Sequence, residues 1–294
     1  MAVRQGGQRR FMVFSQFRRW AGAIKSLASS GSSEKAPLVG PPANLFLLTH
    51  KCGNNYVRSV FRDEPTFIQY QTDELRGQMP GPYIGDAEVP PMEFANIRCR
   101  NFSPLSLEKS LRLIDLTRSR FFLFVRHPAS FFRSAASYHL RGSEKWATRT
   151  LYGYLGNKTL TQALQDAPDQ ETRLTITMRH FGLLWPFPQQ WVAAYHFLRG
   201  LGADVTLVKT EELFSEGDES YFETFAQKLS HSDFAISPRA LMAASPRFME
   251  KLPEHSTGEF KRPPLDGYTG QALEMYNEHF LSQQEFFYGP TSSS

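Results

Sequence analysis

Five short apolar runs punctuate the chain, and each ends on a polar or charged residue: NLFLLTH (44–50), TFIQYQ (66–71), ANIRCR (95–100), RFFLFVR (120–126) and DVTLVKT (204–210). Three lack strict alternation, as expected of strands buried on both faces. Helical patterns lie around them. SLEKSLRLIDLTR (106–118) precedes the fourth run and PASFFRSAASYHLR (128–141) follows it. PQQWVAAYHFLRG (188–200) precedes the fifth and ESYFETFAQKL (219–229) follows it. Strands alternating with helices predict an α/β fold with a mostly parallel central sheet flanked by helices. Ligands in such sheets bind beyond the carboxyl ends of the strands. That rule selects residues 51–56, Asp73 and Glu74, Arg126, and residues 209–212.

A chain of 294 residues can bury a sizeable core as one large domain or two small ones. The net charge of +4 is concentrated at one end. Residues 1–33 carry Arg4, Arg9, Arg10, Arg18, Arg19 and Lys25 and no acid, so the rest is close to neutral. A general nucleic-acid-binding role loses its support, and none is expected. Cys52 and Cys99 make neither a disulfide framework nor a zinc pattern. A reducing, cytoplasmic location is the expectation. No apolar run reaches the roughly 18 residues of a membrane span. Residues 9–27 instead include a basic amphipathic pattern, with Phe14, Phe17, Ala21, Ile24 and Leu27 at helical spacing. It suits a membrane surface, an organellar transit segment, a helix packed on the domain, or a disordered tail. SSGSSEKAPLVGPP (29–42) reads as a linker, which divides the chain into residues 1–43 and a domain over 44–290.

The exit of the first run, THKCGNNYV, has the makings of an anion site. A helix starting near Gly53 would aim the N–H groups of Gly53, Asn54 and Asn55 at one spot, with the positive dipole end behind them. Lys51 adds a mobile charge, and Tyr56 could stack on a base. An ordinary strand-to-helix turn with an exposed lysine would read the same way. The nucleotide pattern G-x-x-x-x-G-K-[ST] is absent, because Lys51 precedes the glycine. At the fourth run, Arg126 closes the strand and Pro128 suits a first helical turn. Ser134 follows Arg126 by eight residues, so a guanidinium and a second-turn hydroxyl can converge. Such a pair clamps a phosphate monoester. An arginine paired with a carboxylate is the plainer alternative.

Together these stretches resemble the PAPS-dependent sulfotransferases. THKCGNNYV is similar to that family's 5′-phosphosulfate loop, P-K-[ST]-G-T-[TS]-[WFY]. FVRHPASFFRSAASYHL is similar to its 3′-phosphate motif, with the same Arg-to-Ser spacing. VTLVKTEELF resembles its V-L-V-x-R-Y-E-D-L strand and turn, and EHSTGEFKRP its glycine-containing closing loop. The four matches fall in the family's order between residue 44 and about 290. The resemblance implies a P-loop-NTPase-like sulfotransferase fold. The implied donor is 3′-phosphoadenosine 5′-phosphosulfate, with adenosine 3′,5′-bisphosphate as product and no metal. By this likeness Lys51, Cys52, Gly53, Asn54 and Asn55 hold the 5′-phosphosulfate, and Tyr56 lies against the adenine. Arg126 and Ser134 bind the 3′-phosphate, Thr210 stands in the third motif, and Thr257, Gly258, Glu259 and Phe260 close over the nucleotide. The chain departs from the pattern at His50 (usually Pro), Asn54-Asn55 (Thr/Ser), His127 (Asp/Asn), Ser130 (an acid), Thr210 (an aromatic) and Phe260 (Trp).

Sulfuryl transfer needs aligned reactants and neutralised charge on the leaving oxygen, a role for Lys51. An acceptor hydroxyl also needs a base. The histidine of the family's small-molecule branch has no counterpart in CRNFSP. Asp73 and Glu74, beyond the second run, occupy the place of the acid used in the carbohydrate branch. A helix N-cap at 72–74 is the alternative. His127, His139, His180 and His196 read as packing residues. The acceptor, a hydroxyl or amine on a small molecule or carbohydrate, would meet loops at 75–94 and 142–190 carrying Tyr83, Trp146, Tyr152, Tyr154 and Trp185. Two other classes compete. One is a P-loop-like kinase or nucleotide-binding enzyme, which would need magnesium ligands. The other is a membrane-surface adaptor carried by the basic N-terminus.

Overall fold

The computed structural model describes residues 42–64, 67–71, 94–100, 117–232, 234–249 and 262–290. The amphipathic and linker segments at 1–41, the pair Asp73 and Glu74, and Thr257, Gly258, Glu259 and Phe260 lie outside them, as do Tyr83 and all but the last two residues, a turn, of the helix expected at 106–118.

The fold is α/β, with a parallel central sheet flanked by helices. All five apolar runs are strands: β1 (Ala43–Leu48), β2 (Phe67–Gln71), β3 (Ala95–Arg100), β4 (Arg120–Val125) and, after a short hairpin of β5 (Leu151–Tyr152) and β6 (Lys158–Thr159), β7 (Asp204–Lys209). Their order in the sheet is β2-β3-β1-β4-β7. The β2–β3, β3–β1 and β1–β4 pairings are parallel, with Leu45 opposite Ile97 on one side and Phe121 on the other. The central strands explain their own sequences. Leu45, Phe46, Leu47 and Leu48 in β1, and Phe121 to Val125 in β4, are fully buried, so neither strand has a polar face. β7, at one end of the order, is mostly half-buried, with Asp204 exposed and Val208 buried.

From β1 the chain passes to β2 on one side of the sheet, and from β4 it passes to β7 on the other. The adjacent carboxyl ends of β1 and β4 therefore form the switch point at which α/β sheets bind ligands.

As far as they are described, the contacts divide the chain into two compact units. One comprises Met1–Leu48, Asp63–Leu123 and Gln190–Thr206; the other comprises Thr49–Arg62, Phe124–Gln189 and Leu207–Ser294. In the first, the Phe46 and Phe122 rings stack at 5.4 Å, and Asn44 Nδ2 donates to Asn96 Oδ1 at 3.1 Å across β1 and β3. The second is organised on helix Pro128–Leu140. That helix is buried along almost its whole length, its polar residues Ser130, Arg133, Ser134 and His139 included.

The stretch expected as acceptor loops at 142–190 is mostly regular structure. It holds the β5–β6 hairpin, helices Lys145–Arg149, Leu160–Asp166 and Gln170–Met178, and a π-turn at Arg179–Leu184. Two start signals were present in the sequence. Thr159 and Gln162 form a reciprocal capping box, and Asp169 Oδ1 accepts from Thr172 N at 2.8 Å. Helices Asn54–Val60, Glu219–Leu229, Pro238–Ala244, Gly270–His279 and Leu281–Tyr288 also belong to the unit. No described helix is long and apolar enough to cross a membrane.

Candidate functional site

All residues of the site lie in the second unit. After β1 the backbone turns tightly. Thr49 O accepts from Cys52 N at 3.3 Å and from Asn54 Nδ2 at 2.6 Å. Lys51 (φ 59°) and Gly53 (φ 78°) are both left-handed. For lysine that conformation costs of order 1 kcal/mol and needs outside support. Arg126 supplies it, donating from Nη1 to Lys51 O at 3.2 Å. Helix Asn54–Val60 follows, and its first internal bond runs from Val57 N to Gly53 O.

The turn assigns distinct parts to its residues. The Cys52 side chain is fully buried, burial pushes its thiol up to about 12, and its backbone N–H is given to Thr49 O. The Asn54 amide bonds back into the turn. Tyr56 is 4% exposed, donates to Leu241 O at 3.2 Å and packs on Phe214. It is a core residue rather than the open stacking face expected for adenine, because helix Pro238–Ala244 covers it.

Lys51 Nζ sits 3.2 Å from the centroid of the Tyr138 ring. Burial, then the charges of Arg126 and Arg141, lower its pKa to about 7; Glu144 opposes the shift. Arg126, 5% exposed, stands where β4 ends. Residues 75 apart in sequence are thus linked at the switch point, and the charge of one acts on the other. Next to Arg126, His127 N donates to Glu211 Oε1 at 3.1 Å, and Glu211 Oε2 accepts from Tyr288 Oη at 2.7 Å. This ties the end of β4 to the segment after β7. Burial, with Arg133 and Arg126, lowers the His127 pKa to about 4. Thr210, at the end of β7, is 1% exposed, and its hydroxyl has no partner among the described residues. Ser130 and Ser134 are both buried on helix Pro128–Leu140.

Beside Lys51 lies a cluster that sequence reasoning missed. His50 Nε2 and His139 Nε2 are 3.0 Å apart, and His139 Nδ1 is 4.0 Å from Glu144 Oε2. The Trp146 indole N–H donates to that same carboxylate oxygen. His50 and His139 stack on Phe181 at 5.3 and 5.1 Å. The available signals were His50 in place of the family's proline and His139 at the end of its second motif; neither reveals that they meet. The four described acceptor aromatics also gather, around His180. Trp146 stacks on it at 5.8 Å, Tyr152 meets its edge at 5.0 Å, Trp185 stacks at 6.3 Å, and Tyr154 Oη bonds to its Nδ1. Burial lowers the His180 pKa to about 4, so it stays neutral in this packing.

His50, His139 and Glu144 bring one ligand atom each within 4.8 Å of one another. The surroundings oppose a divalent cation: Lys51 and His139 repel electrostatically, and Glu144 is engaged by Trp146. The cluster suits proton handling better than metal binding.

Comparison with protein-family models, with curated proteins and with solved structures finds no match to this chain.

Proposed function

We propose that the chain is a sulfotransferase of P-loop-like fold, moving a sulfuryl group from 3′-phosphoadenosine 5′-phosphosulfate to a hydroxyl or amine of a small molecule or carbohydrate. The observation that carries this reading is the linked pair of Lys51 and Arg126. Arg126, buried, holds the carbonyl of half-buried Lys51 at the switch point, and burial together with the Arg126 charge holds Lys51 near pKa 7. Like charges that act on one another with little solvent between them are costly, and an anion placed beside them lowers that cost. A nucleotide with phosphates at both 5′ and 3′ positions is such an anion, and the sequence motifs point to the same ligand. The turn amides after Lys51, Ser134 and the Thr210 hydroxyl are further donors suited to its oxygens. The two carboxylates near the pair already have partners, Glu211 with His127 and Tyr288 and Glu144 with Trp146, which favours a site that works without Mg²⁺ over a kinase site.

The donor nucleotide, when bound, supplies the sulfuryl group and a phosphate leaving group. Lys51 meets the charge that develops on the leaving oxygen. Arg126 holds the Lys51 carbonyl and adds charge to the nucleotide side.

Adenosine 3′,5′-bisphosphate titrated calorimetrically in the presence of EDTA tests this. Binding is expected without metal, and ligand at 100 times its Kd should add about 2.7 kcal/mol of stability. Because the anion restores Lys51 toward its ordinary pKa of 10.5, binding near pH 8 should take up about one proton. Buffers of different ionisation enthalpy will read that uptake. No binding, or binding only with Mg²⁺, would reject the sulfotransferase reading.

A further inference from the structure

We propose that His50, backed by His139 and Glu144, is the group that takes the proton from the acceptor in this site, a role that rests on the sulfotransferase reading. The geometry sets the direction of the relay. His139 is fully buried, and its Nδ1 faces the Glu144 carboxylate at 4.0 Å with no hydrogen-bond partner among the described residues. A proton on Nδ1 is favoured by that carboxylate, which leaves Nε2 as an acceptor. The His50 Nε2–H then donates across the 3.0 Å contact. His139 cannot compete for the proton, since burial and the charge of Lys51 hold its pKa well below the ordinary range. It also cannot touch a substrate. Glu144 is fixed by the Trp146 indole. His50, 8% exposed and adjacent in sequence to Lys51, is the member placed at the chemistry. The other groups facing the cluster are Tyr138 and Phe181 as rings, Arg141 as a charge acting on Lys51, and neutral His180.

The step balances without a further reactant. The acceptor oxygen bonds to sulfur while its proton passes to the His50 imidazole. The bond from sulfur to the bridging oxygen breaks, and its electron pair stays on the nucleotide phosphate beside Lys51. His50 later releases the proton to water. His139 and Glu144 act as positioning residues, steadying the imidazolium through the Nε2···Nε2 bond.

Two readouts test the relay. The first is ¹⁵N NMR of the imidazoles in the full chain. The wild type should show His139 protonated at Nδ1, and Glu144→Gln should lower the titration midpoint of His50. If that substitution moves neither histidine, the relay does not exist. The second is transfer of labelled sulfuryl to phenols graded in acidity, or to water where no phenol is taken. His50→Gln should lower transfer to the least acidic acceptor by roughly 10²-fold or more. The most acidic phenol, already ionised, should lose under about tenfold, with affinity for adenosine 3′,5′-bisphosphate unchanged. Where water is the only acceptor, the expected loss is the larger one. An equal loss across the phenols, or no loss, overturns the proposal, and His139→Asn serves as the second variant if His50→Gln fails to fold. Failure of the wild type to bind the bisphosphate would instead reject the sulfotransferase reading, and the NMR result would still decide whether the relay exists.

Discussion

Lys51→Met should lower sulfuryl transfer by about 10²–10³-fold for every acceptor, ionised or not, because the role proposed for Lys51 is at the leaving group. The same substitution should stabilise the empty protein near neutral pH. The folded-state pKa of Lys51 is about 7, against an ordinary 10.5. Between those values the unfolded chain binds more protons, so stability rises with pH across that window. The penalty for burying this charge is therefore fully present below about pH 7 and has gone above about pH 10.5. Every tenfold loss of proton affinity on folding corresponds to about 1.4 kcal/mol. The cation–π contact with Tyr138 returns about 1–2 kcal/mol, which leaves a net penalty. Thermal unfolding from pH 6 to pH 10 should show Lys51→Met above the wild type at the acid end, with the curves converging at the alkaline end. A variant that is less stable than the wild type at pH 6 would mean the lysine is held by structure and not for an anion.

Arg133→Leu should cost about 4 kcal/mol or more, a large part of a typical domain's stability. Arg133 is 0% exposed on helix Pro128–Leu140. Its Nη1 donates to the carbonyls of Pro263, Pro264 and Asp266 at 2.6, 2.9 and 3.1 Å, and its Nη2 to that of Arg262 at 3.1 Å. Leucine fills part of the space but removes this donor; Pro263 O keeps the Asp266 N–H, while the other three carbonyls lose the bond described, at about 1–3 kcal/mol for each that stays buried. Tyr268, whose hydroxyl donates to Ala129 O at 2.8 Å, would be the remaining polar tie of this segment to the helix among those described. Arg133→Lys keeps the charge but loses the planar fork, so it should recover only part of the loss. Urea unfolding midpoints measure both. A loss under about 1 kcal/mol for leucine would show that the carbonyls find other donors.

The strands were legible because β1 and β4 are buried on both faces and must be continuously apolar. The pairing of Lys51 with Arg126 was legible only as two strand ends; that adjacent strands bring them together depends on the β1–β4 pairing, which no local pattern encodes. His50 and His139 are separated by 89 residues and meet through that same topology, so they read as a departure and a packing residue. Tyr56 reads as an open stacking ring in sequence because nothing local signals the helix near residue 240 that covers it. The helices within 142–190 were hidden for a different reason. Their caps at Thr159 and Asp169 are readable, but aromatic residues so closely spaced also suit a binding loop.

The central claim is that the ends of β1 and β4 hold a nucleotide phosphorylated at both the 5′ and 3′ positions. Its most direct test is calorimetry of adenosine 3′,5′-bisphosphate against adenosine 5′-monophosphate, in EDTA, on the wild type and on Arg126→Ala. The account predicts that the wild type prefers the bisphosphate by about tenfold or more, one charge-assisted contact's worth, and that Arg126→Ala erases most of that preference. Equal affinities in the wild type, or equal losses for both nucleotides on substitution, would contradict it.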